Sequence, residues 1–186
     1  MKKALTILFL ILTFFIIYFL QANFFSGFTI SGVKPNLFVI LVLFVSLFGG
    51  MKIGIPYGIC SGLFLDVIIG KNIGTYAIML GIIAIIGGYF DKNFAKESRL
   101  TIMLMIIGST CIYEIGVCIL QVIELSIEIE IVQFLIKLLI EIMYNTILTI
   151  ILYPIMQKLG YKIEDIFKGK KMLTRYFWNK VIQMKI

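Results

Sequence analysis

The sequence predicts an all-α membrane protein: a bundle of six transmembrane helices with both termini cytoplasmic. Three observations carry this. Of the 186 residues, 61% are hydrophobic and 15% charged, against about 45–50% and about 25% in an ordinary soluble domain. The apolar residues fall in continuous runs and do not alternate with polar ones, which argues against a transmembrane barrel. Lys and Arg concentrate at alternate ends of these runs, as the positive-inside rule requires.

The first helix covers Ala4 to Ala22, behind Lys2 and Lys3. This run is longer than a secretory apolar core of about 7–15 residues, and Gln21-Ala22-Asn23 is a poor cleavage site, so a retained helix is expected. A loop, Asn23 to Lys34, follows. Pro35 opens the second helix, where its missing N–H would be unpaired anyway. That helix runs Asn36 to Phe48 and stops at Gly49-Gly50, with Met51 and Lys52 as a tight turn. The third helix spans about Ile53 to Ile69, with Pro56 in its first turn. The fourth covers Thr75 to Phe90, the fifth Leu100 to about Ile123, and the sixth about Ile131 to Met156. Several are shorter than the roughly 20 residues of a straight span, which flanking residues or local bilayer thinning offset.

With the N-terminus inside, Lys52, Lys92, Lys96 and Arg99 and the Lys-rich tail all fall on the cytoplasmic side, and only Lys34 and Lys71 lie in outer loops. Residues 1–156 then form the transmembrane domain and 157–186 a basic cytoplasmic tail. Leu173, Phe177, Val181 and Met184 share a helical face there, as in a helix lying in the membrane interface. The net charge of +7 is explained by orientation and anionic lipid, with no nucleic acid.

Enzymatic chemistry has little to work with. The chain contains no His, which removes the commonest general base and metal ligand. Gly58-Ile59-Cys60-Ser61-Gly62 lacks the spacing of a nucleophile elbow. No phosphate-binding glycine motif and no cluster with metal-ligand spacing is present. Cys60, Cys111 and Cys118 sit inside apolar runs and read as small buried hydrophobes. No catalytic residue, cofactor or metal is expected.

The segment from Gly54 to Gly74 stands apart. Gly54, Gly58 and Gly62 recur every four residues, Asp66 and Gly70 continue the spacing, and Gly74 closes it. Residues four apart share a helix face, and each interior Gly costs about 0.5–1 kcal/mol against Ala. Such a stripe suits close helix packing in a membrane, within the bundle or against a partner. Asp66 is the polar residue to watch, because ionisable groups at membrane depth are costly. Its alternatives are a structural cap for the Gly70–Gly74 turn and a functional site in the outer half of the bilayer. Lys137 and Glu141, spaced i, i+4, are expected to pair along the sixth helix, with snorkelling of Lys137 as the alternative.

Lys34-Pro35-Asn36-Leu37, Phe48-Gly49-Gly50, the ladder Gly54, Gly58, Gly62, the run Gly62-Leu63-Phe64-Leu65-Asp66, and Gly70, Gly74 and Gly88-Tyr89 resemble the MreD family of bacterial rod-shape membrane proteins. The resemblance spans about residues 34 to 90. Pro35 and Asn36 are candidate functional positions on this resemblance, although Asn36 stands where the family usually has an acid and lacks that charge. The resemblance implies a non-enzymatic subunit of the cell-elongation machinery in the plasma membrane. It would bind an MreC-like bitopic protein and, through it, connect to RodA, its penicillin-binding transpeptidase and MreB. It also implies similarity in fold to the substrate-binding subunits of energy-coupling-factor transporters. A rival reading follows: a small-molecule binding or transport subunit with an outer-leaflet pocket near Asp66.

Overall fold

The polypeptide folds around its second helix. In a computed structural model, which describes residues 2–69, 74–93, 98–125 and 130–168, helix α1 spans Lys2–Phe19. A π-helical turn, Leu20–Phe24, and a last helical turn, Phe25–Gly27, carry it into what the sequence predicts as loop. Helix α2 is Leu37–Gly49, α3 Met51–Ile69, α4 Thr75–Asn93, α5 Arg99–Leu125 and α6 Ile131–Lys168. Among the described residues no strand is present beyond one isolated bridge, Ile30 to Val33. Among the described residues, four helical stretches are long and apolar enough to cross a membrane: 3–27, 51–69, 99–123 and 131–168. The other two, 37–49 and 75–91, are apolar but shorter.

All 13 residues of α2 are buried. Its sequence, LFVILVLFVSLFG, is apolar on every side, which fits a helix wrapped by protein. At 1.5 Å per residue it is about 20 Å long, so it needs its neighbours to complete the membrane thickness. Val39, Val42, Leu43, Leu80, Ile83 and Ile106 meet in the main core. A second cluster joins Leu10, Leu41, Val45 and Ile163. Phe64 sits edge-on against Phe14, Phe15 and Tyr18 and ties α1 to α3. The Tyr57 hydroxyl donates to the Leu10 carbonyl at 3.1 Å across the same contact.

The turn from α2 to α3 is tighter than the sequence suggests. Gly50 alone makes it, at φ +74°, a conformation that L side chains rarely adopt. Helix α3 begins at Met51 and continues through Pro56 without interruption.

The sixth helix differs most from expectation. It passes Pro154 and continues to Lys168, twelve residues beyond the predicted end at Met156. Proline removes one backbone donor, a loss that membrane helices tolerate. The continuation is held by packing. A Cβ on Gly160 would collide with the Phe48 ring, so the helix passes close over that ring. Ile163 and Glu164 are also buried. At its end Lys168 donates to Asp91 of α4 at 2.5 Å and lies 3.8 Å from Glu164. The face predicted from Leu173 to Met184 lies outside the described residues.

Because residues 157–168 cover Phe48, a chain cut after Met156 is expected to lose several degrees in Tm against the full chain, since it uncovers a large core ring worth roughly 1–3 kcal/mol. Thermal unfolding followed by size-exclusion in detergent measures this. An unchanged Tm would show that the last turns of α6 are not part of the bundle.

Candidate functional site

The glycine ladder turns inward. A Cβ on Gly54 would stand 2.6 Å from the Ser46 Cα of α2. On Gly58 it would stand 2.6 Å from the Leu80 carbonyl oxygen of α4, and on Gly62 2.5 Å from the Ala77 amide nitrogen. The nearest atoms at Gly58 and Gly62 are backbone, which cannot swing aside as a side chain does, while Gly54 lies against both the side chain and the Cα of Ser46. Helix α4 answers with small residues of its own: a Cβ on Gly87 would meet the Leu43 carbonyl at 2.9 Å. The Ser46 hydroxyl donates to the Ala84 carbonyl and closes the triangle of α2, α3 and α4. Gly70 lies outside the described residues. Gly74 has open space where a side chain would be, but its φ of +114° keeps the position glycine.

One turn beyond Gly62, Asp66 is 1% exposed. Its carboxylate accepts from the backbone N–H of Tyr76 at 2.9 Å and of Ala77 at 3.1 Å. These are among the first donors of α4, which have no partner inside their own helix. A carboxylate there satisfies two of them and lies at the positive end of the helix dipole. Asp66 therefore caps α4 from the neighbouring helix.

Pro35 and Asn36 sit at a polar junction. Asn36 caps α2 through its side-chain oxygen, 3.3 Å from the Val39 N–H. Its own N–H donates to the Asn145 Oδ1 of α6 at 2.7 Å, and Asn145 Nδ2 donates to the Thr110 Oγ1 of α5 at 3.0 Å. Gln21 Nε2 donates to the Pro35 carbonyl at 2.8 Å, while its Oε1 accepts from the Leu37 N–H at 3.0 Å. Four helices meet in this network. Sequence reasoning assigns Gln21, Thr110 and Asn145 no site role; the available signal was an amide or hydroxyl inside an apolar run.

Lys137 does not pair with Glu141. Its ammonium donates to Glu114 Oε2 of α5 at 2.8 Å, with the Lys137 side chain 51% exposed and that of Glu114 6%. Side chains on a helix lean toward its N-terminus, so Lys137 points away from Glu141, and the order Lys before Glu is the weaker i, i+4 arrangement. A carboxylate on the facing helix wins. Glu141 stands beside this pair and beside Asn36. It is 3% exposed, and its Oε1 has no hydrogen-bond partner among the described residues.

These groups border a cavity of about 1080 Å³, a size typical of small-molecule sites. Its floor is the start of α2, and its walls come from α1, α3, α4, α5 and α6. Tyr76, Tyr113, Glu114, Lys137 and Glu141 line it. The ladder and Asp66 do not, although Leu65 and Ile69 beside Asp66 do. The pocket expected near Asp66 is thus centred on the α5–α6 wall. No group of three or more metal-binding side chains occurs among the described residues.

A profile of the family described as rod shape-determining protein MreD matches residues 1–163. No curated protein and no solved structure matches.

Two expectations follow from the geometry. Asp66→Ala is expected to lower stability by about 1–2 kcal/mol, and Asp66→Asn by less, because an amide oxygen still accepts. Equal losses would show that capping is not what Asp66 does. Lys137→Met is expected to destabilise more than Glu114→Gln, since only the former leaves a buried carboxylate without its cation, at roughly 1–3 kcal/mol. Detergent or lipid-disc thermal melts of the four variants supply both comparisons.

Proposed function

The chain belongs to the MreD family of rod shape-determining membrane proteins, and from this premise we propose that it serves as a non-enzymatic integral subunit of the bacterial cell-elongation complex. In this reading it lies in the plasma membrane with six spans and both termini cytoplasmic. It binds an MreC-like bitopic protein and so helps position peptidoglycan synthesis by RodA and its transpeptidase relative to MreB. A likeness to energy-coupling-factor substrate-binding subunits belongs to the same proposal. The observation that carries it is the family match, which covers 163 residues of the chain.

The accounting of polar groups supports a structural role. Asp66 is committed to a helix cap, Glu114 to Lys137, and Asp91 to Lys168, which leaves little for acid–base chemistry. The ladder is occupied by α2 and α4, so a single-span partner is met through side chains at the bundle surface. Large apolar residues are exposed there on α1, among them Leu5, Leu8, Leu12 and Ile16.

The expected outcome in cells is that depletion of the chain turns rods into spheres. The affinity-tagged protein is also expected to retain an MreC-like protein through detergent extraction. Rods that persist on full depletion, together with no such co-purification, would remove the proposal.

A further inference from the structure

The cavity is lined by three acidic side chains, Glu114, Glu130 and Glu141, and Glu141 stands beside Glu114 and Asn36. Glu114 is paired with Lys137 at 2.8 Å. Glu130 accepts from the Gln133 side-chain amide. Glu141 is buried to 3% exposure on the cavity wall, and its Oε1 meets no donor among the described residues. Lys34, the other cation on the lining, is exposed. A buried carboxyl oxygen without a donor is costly, and a ligand that brings an N–H to it removes that cost. Two Tyr rings, Tyr76 and Tyr113, share the wall, and aromatic faces attract cations.

We propose that this cavity binds a primary ammonium group, with an N–H donated to Glu141 Oε1 and the Tyr76 and Tyr113 rings beside it. Hydrogen bonds between charged partners are about twice as strong as neutral ones, so the N–H is the selective element and a quaternary ammonium, which has none, binds more weakly. Ile136 and Ile140 make part of the lining apolar. A soluble amine and an aminophospholipid headgroup both present this chemistry.

The test uses the full chain in phosphatidylglycerol discs. One arm titrates ethanolamine against choline. The other exchanges phosphatidylethanolamine against phosphatidylcholine in the disc. The expected result is a saturable rise in Tm with the primary ammonium in at least one arm, and a methylated counterpart weaker by roughly tenfold or more, the fold-change of one charge-assisted hydrogen bond. Glu141→Gln is expected to abolish that preference. A response to ethanolamine identifies a soluble source, and a response confined to the lipid arm identifies a headgroup. To keep the outcome independent of how well Glu141→Gln folds, a photoreactive primary amine is applied to the unaltered chain. Its label is expected within residues 113–121 and 133–141. No saturable response in either arm, equal response to the methylated probes, an unchanged preference in Glu141→Gln, or labelling only elsewhere would each overturn the proposal. None of these readouts depends on whether an MreC-like protein co-purifies.

Discussion

Backbone meets backbone where α3 crosses α2 and α4, and the rest of the bundle follows from that contact. In lipid, apolar side chains gain little by leaving one hydrocarbon environment for another, so helices hold together through close packing and hydrogen bonds. Gly54, Gly58 and Gly62 allow an approach that any Cβ would block. The approach brings Asp66 to the first N–H groups of α4. It also fixes the start of α4, and with it Tyr76 on the cavity wall. Among the described residues the α3–α4 interface is the most extensive, as a glycine-to-small-residue contact along two helices would make it.

Polar groups gather at the two ends of this packed centre. At one, Gln21, Asn36, Thr110 and Asn145 exchange hydrogen bonds among four helices. At the other, Lys168 joins the end of α6 to Asp91 of α4 beside the Gly50 turn. Between them α2 contributes only Ser46, whose hydroxyl is bonded to a carbonyl of α4. Buried polar groups rigidify a structure when they are satisfied, and nearly all of these are. Glu141 Oε1 is an exception on the cavity wall.

The helices were legible because apolar runs and glycine breaks are local signals, and their predicted starts lie within two residues of those observed. The end of α6 was not, because Pro154 and the polar residues after it read locally as a stop. What carries the helix onward is Gly160 against Phe48, a contact between residues 112 positions apart in the chain. The partner of Lys137 was missed for a similar reason: spacing reveals neighbours on one helix, whereas Glu114 comes from another. The capping alternative for Asp66 was readable from its place before a glycine turn, but the particular N–H groups were not. The cavity itself is a product of tertiary arrangement. No motif marks it, and its residues come from every helix.

The central claim is that Gly54, Gly58 and Gly62 permit backbone contact inside the bundle. A series of single Gly→Ala changes tests it most directly, because one methyl group probes each approach without altering charge. Gly108, where a Cβ would meet nothing within 4 Å, is the internal control. Thermal melts are expected to show Gly58→Ala and Gly62→Ala destabilised by about 1–3 kcal/mol through overpacking. Gly108→Ala is expected to be neutral or stabilising by up to about 1 kcal/mol from helix propensity alone. A ladder that tolerates alanine as well as Gly108 does would contradict the account.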